Sequence, residues 1–159
     1  MNIRLATLDD LDLLARLNTD VQRLHANALP HLFKQPDNPA AIIADFRERI
    51  FANVEGRVFF AELDDEAAGY VYAHMTHRPD NAYTYALDAI HIDQISVRPV
   101  YQGMGVGYGL VQEVFDWART EKIKRVTLDT GAFNVEAQAF FKKQGFEVST
   151  YRMGVTLQG

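Results

Sequence analysis

Val97-Arg98-Pro99-Val100-Tyr101-Gln102-Gly103-Met104-Gly105-Val106-Gly107 reads as the turn between an apolar strand and an amphipathic helix. Glycine at 103, 105 and 107 keeps the backbone bare there. Such a turn can aim its main-chain N–H groups at an anion, with the positive end of the following helix dipole behind them. Upstream, Ile90 and Ile92 are apolar at even positions but Ile95 and Val97 at odd ones. The alternation therefore slips by one residue near Asp93-Gln94, which predicts a β-bulge. Downstream, Val106, Leu110, Val114, Phe115 and Ala118 share one face of a helix.

The elements on either side extend this pattern. Ile3 and Leu5 alternate as a short strand, and Thr7-Leu8-Asp9-Asp10 has the form of a capping box opening a helix with Leu11, Leu14 and Leu17 on one face. A second helix carries Ile42, Ile43, Phe46 and Ile50 inward. Residues 57–63 and 67–75 are β-branched or aromatic runs around Asp64-Asp65-Glu66, the layout of an antiparallel hairpin. Val126-Thr127-Leu128 forms a further strand, and Ala137, Phe140 and Phe141 mark a helix ended by Gly145. Two short strands are expected at 146–149 and 152–157. The sum is a single α+β domain, residues 1–159, with six or seven strands.

Composition narrows the classes. A chain of 159 residues has the length of one domain and buries roughly 70% of its unfolded surface. No apolar run approaches the ~20 residues of a membrane span, and the amino terminus lacks the pattern of a secretory leader, so a cytoplasmic protein that binds no membrane is expected. The absence of cysteine excludes disulfides, thiolate metal sites and a thiol nucleophile. A net charge of −5 argues against nucleic acid as partner and suits a cationic substrate, or simply solubility. The five histidines show no helical i, i+4 pair with an acidic neighbour, so no metal is expected.

Three phosphate-binding turns compete for the glycine loop. A nucleoside-triphosphate loop needs Gly-Lys-Ser or Gly-Lys-Thr, and Gly107 is followed by Tyr108 and Gly109. A dinucleotide fingerprint finds its acidic residue in Asp129, but Tyr108 and Leu110 stand where a third glycine belongs, and only about 30 residues follow Asp129. The third reading absorbs more. Gln102-Gly103-Met104-Gly105-Val106-Gly107 fits Gln/Arg-x-x-Gly-x-Gly/Ala. With Ile92 to Pro99 upstream and Asn134-x-x-Ala137-x-x-Phe140-Phe141-x-x-x-Gly145-Phe146 downstream, it resembles the GNAT family of acetyl-CoA-dependent N-acetyltransferases.

That resemblance, specific over residues 88–147, implies a mostly antiparallel sheet with about four helices on both faces, and acetyl-CoA as co-substrate. It implies that Gln102, Gly103, Met104, Gly105, Val106 and Gly107 wrap the pyrophosphate, and that the main chain of Ile95, Ser96 and Val97 holds the pantetheine arm. Asn134 would reach the pantetheine, and Phe140 or Phe141 the thioester. Read from the residues alone, Asn134 is equally a helix N-cap and the phenylalanines are core. His91, eleven residues before Gln102, and Asp93, at the suspected bulge, are the two candidate general bases. Where many relatives carry Phe-Tyr, this chain has Phe140-Phe141, and the usual tyrosine acid is missing. Tyr101 and Tyr151 are the available substitutes.

The acceptor segments implied by the same resemblance hold His25, His31, Phe33, Tyr83 and Tyr85, a mixture suited to the amine of a small molecule or peptide. Monomer and homodimer both remain open. An alternative of another class is an acyl-CoA sensor that keeps the loop without turnover.

Overall fold

The computed structural model describes every residue, Met1–Gly159. It divides into two compact units, Met1–Asp129 and Thr130–Gly159.

The first unit opens with β1, Asn2–Leu5. Thr7 and Asp10 then form the expected capping box around a short 3₁₀ turn, and α1 follows at Leu11–Ala28. Helix α2, Pro39–Asp45, is capped by Asn38 and runs into a π-helical turn, Phe46–Ile50, that its sequence pattern did not announce. Strand β2, Gly56–Leu63, turns into β3, Glu66–Arg78, through Asp64 and Asp65, both left-handed at φ 52° and 63°. Strand β4, Leu87–Val97, leads through a 3₁₀ turn at Pro99–Tyr101 into α3, Val106–Thr120, and β5 is Val126–Leu128. The second unit contains α4, Val135–Lys143.

The strands form one sheet in the order β1-β2-β3-β4-β5, antiparallel except for the parallel pair β4-β5. Five strands, not six or seven, are present. The expected strands at 146–149 and 152–157 do not form, and residues 147–159 carry no regular structure. Alternation supplies a face, but a strand exists only once its backbone groups have a ladder partner. The expected bulge is there: Tyr72 pairs with Gln94 and Ala73 with Ile92, leaving Asp93 without an opposite residue.

Neighbouring residues on a strand point to opposite faces, which fixes the layers. Phe60, Tyr70 and Tyr72 bury against Leu11, Leu14 and Leu17 of α1 and against Phe46 and Ile50 of the π turn. Phe59, one residue away, meets Trp117 of α3 at 6.4 Å between ring centres. Helices α1 and α2 therefore cover one face of the sheet and α3 the other.

Candidate active site

The strand-to-helix turn is pinned at its base. Ser96 is buried, and its hydroxyl donates to the Leu17 carbonyl of α1 at 2.6 Å. Arg98 donates its N–H to Ala68 O at 2.9 Å, and the Gln102 side chain reaches back to Val97 O at 3.2 Å. Beyond these ties the backbone turns left-handed twice, at Gly103 (φ 75°) and Gly105 (φ 83°), and Gly105 is the N-cap of α3. Glycine enters this conformation without the penalty a β-carbon would bring. A Cβ at either position would meet nothing within 4 Å, so the space over the turn is open. Gly109 does a different job: a Cβ there would lie 2.7 Å from Met1 Cε and 2.9 Å from Ile3 Cδ1, so it lets α3 pack close to β1.

The main-chain N–H groups of Gly103, Gly105, Val106, Gly107 and Tyr108 have no intramolecular acceptor. Gly109 N–H is the first in α3 to bond backward, to Gly105 O at 2.9 Å. Donors converging at a helix start form an anion site. Met104 and Gln102 are exposed beside them, and Val106 is buried beneath.

The bulge gives β4 two different halves. Ile90, His91 and Ile92 pair with Val126, Thr127 and Leu128 of β5, whereas the ladder with β5 ends there. From Asp93 to Val97 the strand bonds only to β3 within its unit, so the main chain of Ile95, Ser96 and Val97 borders an unpaired edge leading to the glycine turn. Gly69, opposite Val97, is forced by close approach, because a Cβ would come within 2.5 Å of Ser96 O.

His91 and Asp93 share the face that carries α1 and α2. The His91 ring lies 5.7 Å from His74, which lies 5.7 Å from the buried Tyr72. Nδ1 of His91 bonds the Thr127 hydroxyl at 2.9 Å, and Nε2 faces the exposed Asp129 carboxylate at 3.8 Å. The His91 side chain is 21% exposed, and Nδ1 is the nitrogen held by a hydrogen bond. Asp93 is 35% exposed and 3.8 Å from Arg49 of the π turn, whose guanidinium is held bidentately by Asp45 at 2.8 and 2.9 Å. Those Asp45 bonds raise the Arg49 pKa, and the charge of Asp93 adds to the effect.

Between these groups lies a buried polar relay that the sequence reading missed. Asn18 of α1 donates to Tyr70 Oη at 2.9 Å, and the Tyr70 hydroxyl donates to Gln94 Oε1 at 2.8 Å. Burial pushes the Tyr70 pKa up, which keeps it a neutral donor. The parallel β5 register that places Asp129 near His91 and the Arg49–Asp93 pair also went unread.

The acceptor candidates fall in two places. The His25 and Phe33 rings meet at a tilt of 54° with centres 5.1 Å apart, and a solvent-open hollow of about 600 Å³ is lined by His31, Phe33, Lys34 and Asp37 among others. Tyr83 and Tyr85 sit almost wholly exposed at the tip of the β3-β4 hairpin, and no hydrogen bond or ring contact joins them to the first group. Beside that tip His77 bridges Asp88 and Glu55, each at 2.9 Å, and those carboxylates raise its pKa.

In the second unit Asn134 caps α4 by accepting from Ala137 N–H at 3.1 Å. Phe141 is buried, with Phe140 at 5.0 Å and Phe146 at 5.5 Å between ring centres. Of the two substitute tyrosines, Tyr101 lies under the Arg98 guanidinium at 5.4 Å and Tyr151 is exposed.

The family model described as the acetyltransferase (GNAT) family matches residues 18–146. An aminoglycoside N(6')-acetyltransferase type 1 of Stenotrophomonas maltophilia is 31% identical over 97 residues, covering 60% of this chain and 63% of that protein. The chain spans between 52% and 63% of the length of the curated relatives it matches. Among solved structures, a tetramutant of the BH1408 protein of Bacillus halodurans superposes with a TM-score of 0.87 at 22% identity, covering 99% of this chain and 100% of that one. Aminoglycoside N-acetyltransferase AAC(6')-Iy in complex with CoA follows at a TM-score of 0.76 and 21% identity, covering 99% and 95%.

Proposed function

Because the chain belongs to the acetyltransferase (GNAT) family, we propose that it transfers the acetyl group of acetyl-CoA to a primary amine of a small molecule or peptide. The observation that carries this reading is the set of unpaired N–H groups of Gly103, Gly105, Val106, Gly107 and Tyr108, standing over open space at the end of an unpaired strand edge. The donors suit a diphosphate, and the edge suits an amide-bearing arm that adds to β4 as a strand would. The CoA complex of the AAC(6')-Iy structure supports the same ligand.

Acetyl-CoA supplies an activated acyl carbon on a thiolate leaving group. Gln102 to Gly107 would hold its diphosphate, and the main chain of Ile95, Ser96 and Val97 its pantetheine amides. In the second unit Asn134 caps α4 with its side-chain oxygen and keeps its side-chain NH₂ as a donor. The family resemblance would assign Phe140 or Phe141 to the thioester. A strand N–H near Ile95 offers the acyl oxygen a donor of the kind worth ~3 kcal/mol in a transition state.

The incoming amine must be neutral to attack. His91, oriented through Thr127, or Asp93, accepts its proton, directly or through a water. The C–N bond forms, the C–S bond breaks, and the proton shed by the acylated nitrogen passes through solvent to the departing thiolate. No side-chain acid is required of Phe141, since a thiolate leaves without one; an acid contributes typically ~10² to 10⁴-fold. His25, His31 and Phe33 are the acceptor residues beside the hollow, with Tyr83 and Tyr85 a second surface for a longer acceptor.

The test is release of free thiol from acetyl-CoA in the presence of a panel of aminoglycosides, polyamines, amino acids and peptides. Release that depends on one amine class, with the acetylated product found by mass, supports transfer. Tight CoA binding with no release from any amine supports the sensor instead.

A further inference from the structure

Adjacent residues on a strand ordinarily part to opposite faces, but Asp93 and Gln94 do not. Asp93 lies 3.8 Å from Arg49 of the π turn, and Gln94 takes a hydrogen bond from Tyr70, which is itself bonded to Asn18 of α1. Both side chains therefore stand on the α1/α2 face, because the bulge sets two residues of β4 against one of β3. The buried relay also fixes which end of the Gln94 amide looks outward. Asn18 is buried, and Tyr70 lies fully buried edge-on to Phe46 at 5.6 Å. The Tyr70 hydroxyl accepts from the Asn18 NH₂ at 2.9 Å, so it has its own proton to give, and an amide takes a proton only at oxygen. Gln94 Oε1 is that oxygen, at 2.8 Å. Its Nε2 is left with no partner in the chain and reaches solvent. The charges of Asp93 and Asp45 both act on the Tyr70 hydroxyl, so the outward end of the relay lies among carboxylates.

We infer that Gln94 reads the acceptor, its outward NH₂ donating to an oxygen that the acceptor carries close to its reacting amine. The inference rests on the acetyl-transfer reading and narrows it to amines with a hydroxyl or carbonyl oxygen near the amino carbon: amino alcohols, amino sugars and amino-acid amides. Asp93, one residue away, meets the cationic end of such a molecule, and Gln94 meets its neutral oxygen. An alkyl amine offers the NH₂ nothing. Seating it displaces the water that served the donor and leaves that donor unpaired. A site that has placed a donor for a substrate oxygen rejects the analogue that lacks it. Tyr70 acts through Gln94 and is a positioning residue, since without its hydroxyl the amide is free to turn its oxygen outward.

Thiol release from acetyl-CoA is measured with amines matched in shape: ethanolamine against propylamine, glycinamide against isobutylamine, and an aminomethyl sugar against aminomethylcyclohexane, each compared at equal concentration of the neutral amine. The oxygen-bearing member of a pair should have the higher kcat/KM by about tenfold, the scale of one hydrogen bond. Gln94→Ala should bring the two members within about twofold, through loss on the oxygen-bearing one. Gln94→Glu should do the same while still accepting from Tyr70, which separates the lost donor from a lost relay. Tyr70→Phe should lower the preference without removing Gln94. Equal release from both members overturns the assignment of Gln94 and leaves acetyl transfer standing, as does a preference that survives all three substitutions. Release from none of the pairs while another amine is acetylated also overturns Gln94 alone. Release from no amine at all overturns acetyl transfer with it.

Discussion

Gly105 is the residue on which the loop turns, because it stands left-handed at the N-cap of α3 with unpaired donors on either side of it. A glutamate there would meet the strain of a positive φ and set a carboxylate against bound phosphate. Gly105→Glu is expected to lower CoA affinity at least ~100-fold by calorimetry, about 3 kcal/mol of binding free energy. His91 and Asp93 answer to a different measurement. Their side chains lie on the α1/α2 face, away from the donors of the turn, so His91→Ala and Asp93→Ala should leave CoA affinity within about twofold. At least one should lower kcat by ~10² or more, the scale of a general base. Equal kcat in both variants and the parent would move the base elsewhere.

Strand β4 is where elements become a site, since the bulge at Asp93 lets it serve β5 on one half and present an open edge on the other. Gly69 on β3 guards the spacing of that open half. Gly69→Val would drive a side chain into Ser96 O and the Val97 backbone, prising β3 from β4 at the proposed cofactor edge. A loss of about 1–3 kcal/mol in chemical denaturation is expected, with weaker CoA binding in the folded protein. An unchanged unfolding midpoint would contradict the close approach. Much of this element was legible from residues alone. The slip from Ile92 to Ile95 announced the bulge, because period two is rigid in a strand. The capping box at Thr7 and the glycine turn were legible for the same reason: each is a local backbone demand that few residue types meet. The π turn was not, since Ile42, Ile43, Phe46 and Ile50 fit an ordinary helix equally well. Nor were the contacts between distant segments. Tyr70 finds Asn18 and Gln94, and His91 finds Thr127, only after strand register and helix docking are set.

At the scale of the molecule, the sheet's first edge is held by charge. Arg4 of β1 binds Asp10 bidentately at 2.8 and 2.9 Å and reaches Glu62 of β2, while Thr7 N–H donates to the same Asp10 carboxylate at 2.8 Å. The Arg4 bonds lower the Asp10 pKa from 3.8 to about 2. A depressed carboxylate stabilises the fold fully above the unfolded value and loses that contribution as pH falls through the folded one. Asp10→Asn should therefore cost about 1–2 kcal/mol at pH 7, discounted for the part-exposed guanidinium, and the gap should close between about pH 4 and pH 2. A gap independent of pH would assign the loss to packing. The carboxy-terminal strands mark the other limit of sequence reading at this scale. Their alternation was plain, but whether a strand forms depends on an edge to receive it, and no local pattern names that edge.

The proposed acetyl transfer depends on main-chain amides of the turn gripping the diphosphate of CoA. Titration of CoA into ¹⁵N-labelled protein, followed amide by amide, tests this most directly. The largest shifts should fall on Gly103, Gly105, Val106, Gly107 and Tyr108, with a second group along Ile95 to Val97. Saturable binding that leaves those turn amides in place, or no binding at millimolar CoA, would contradict it.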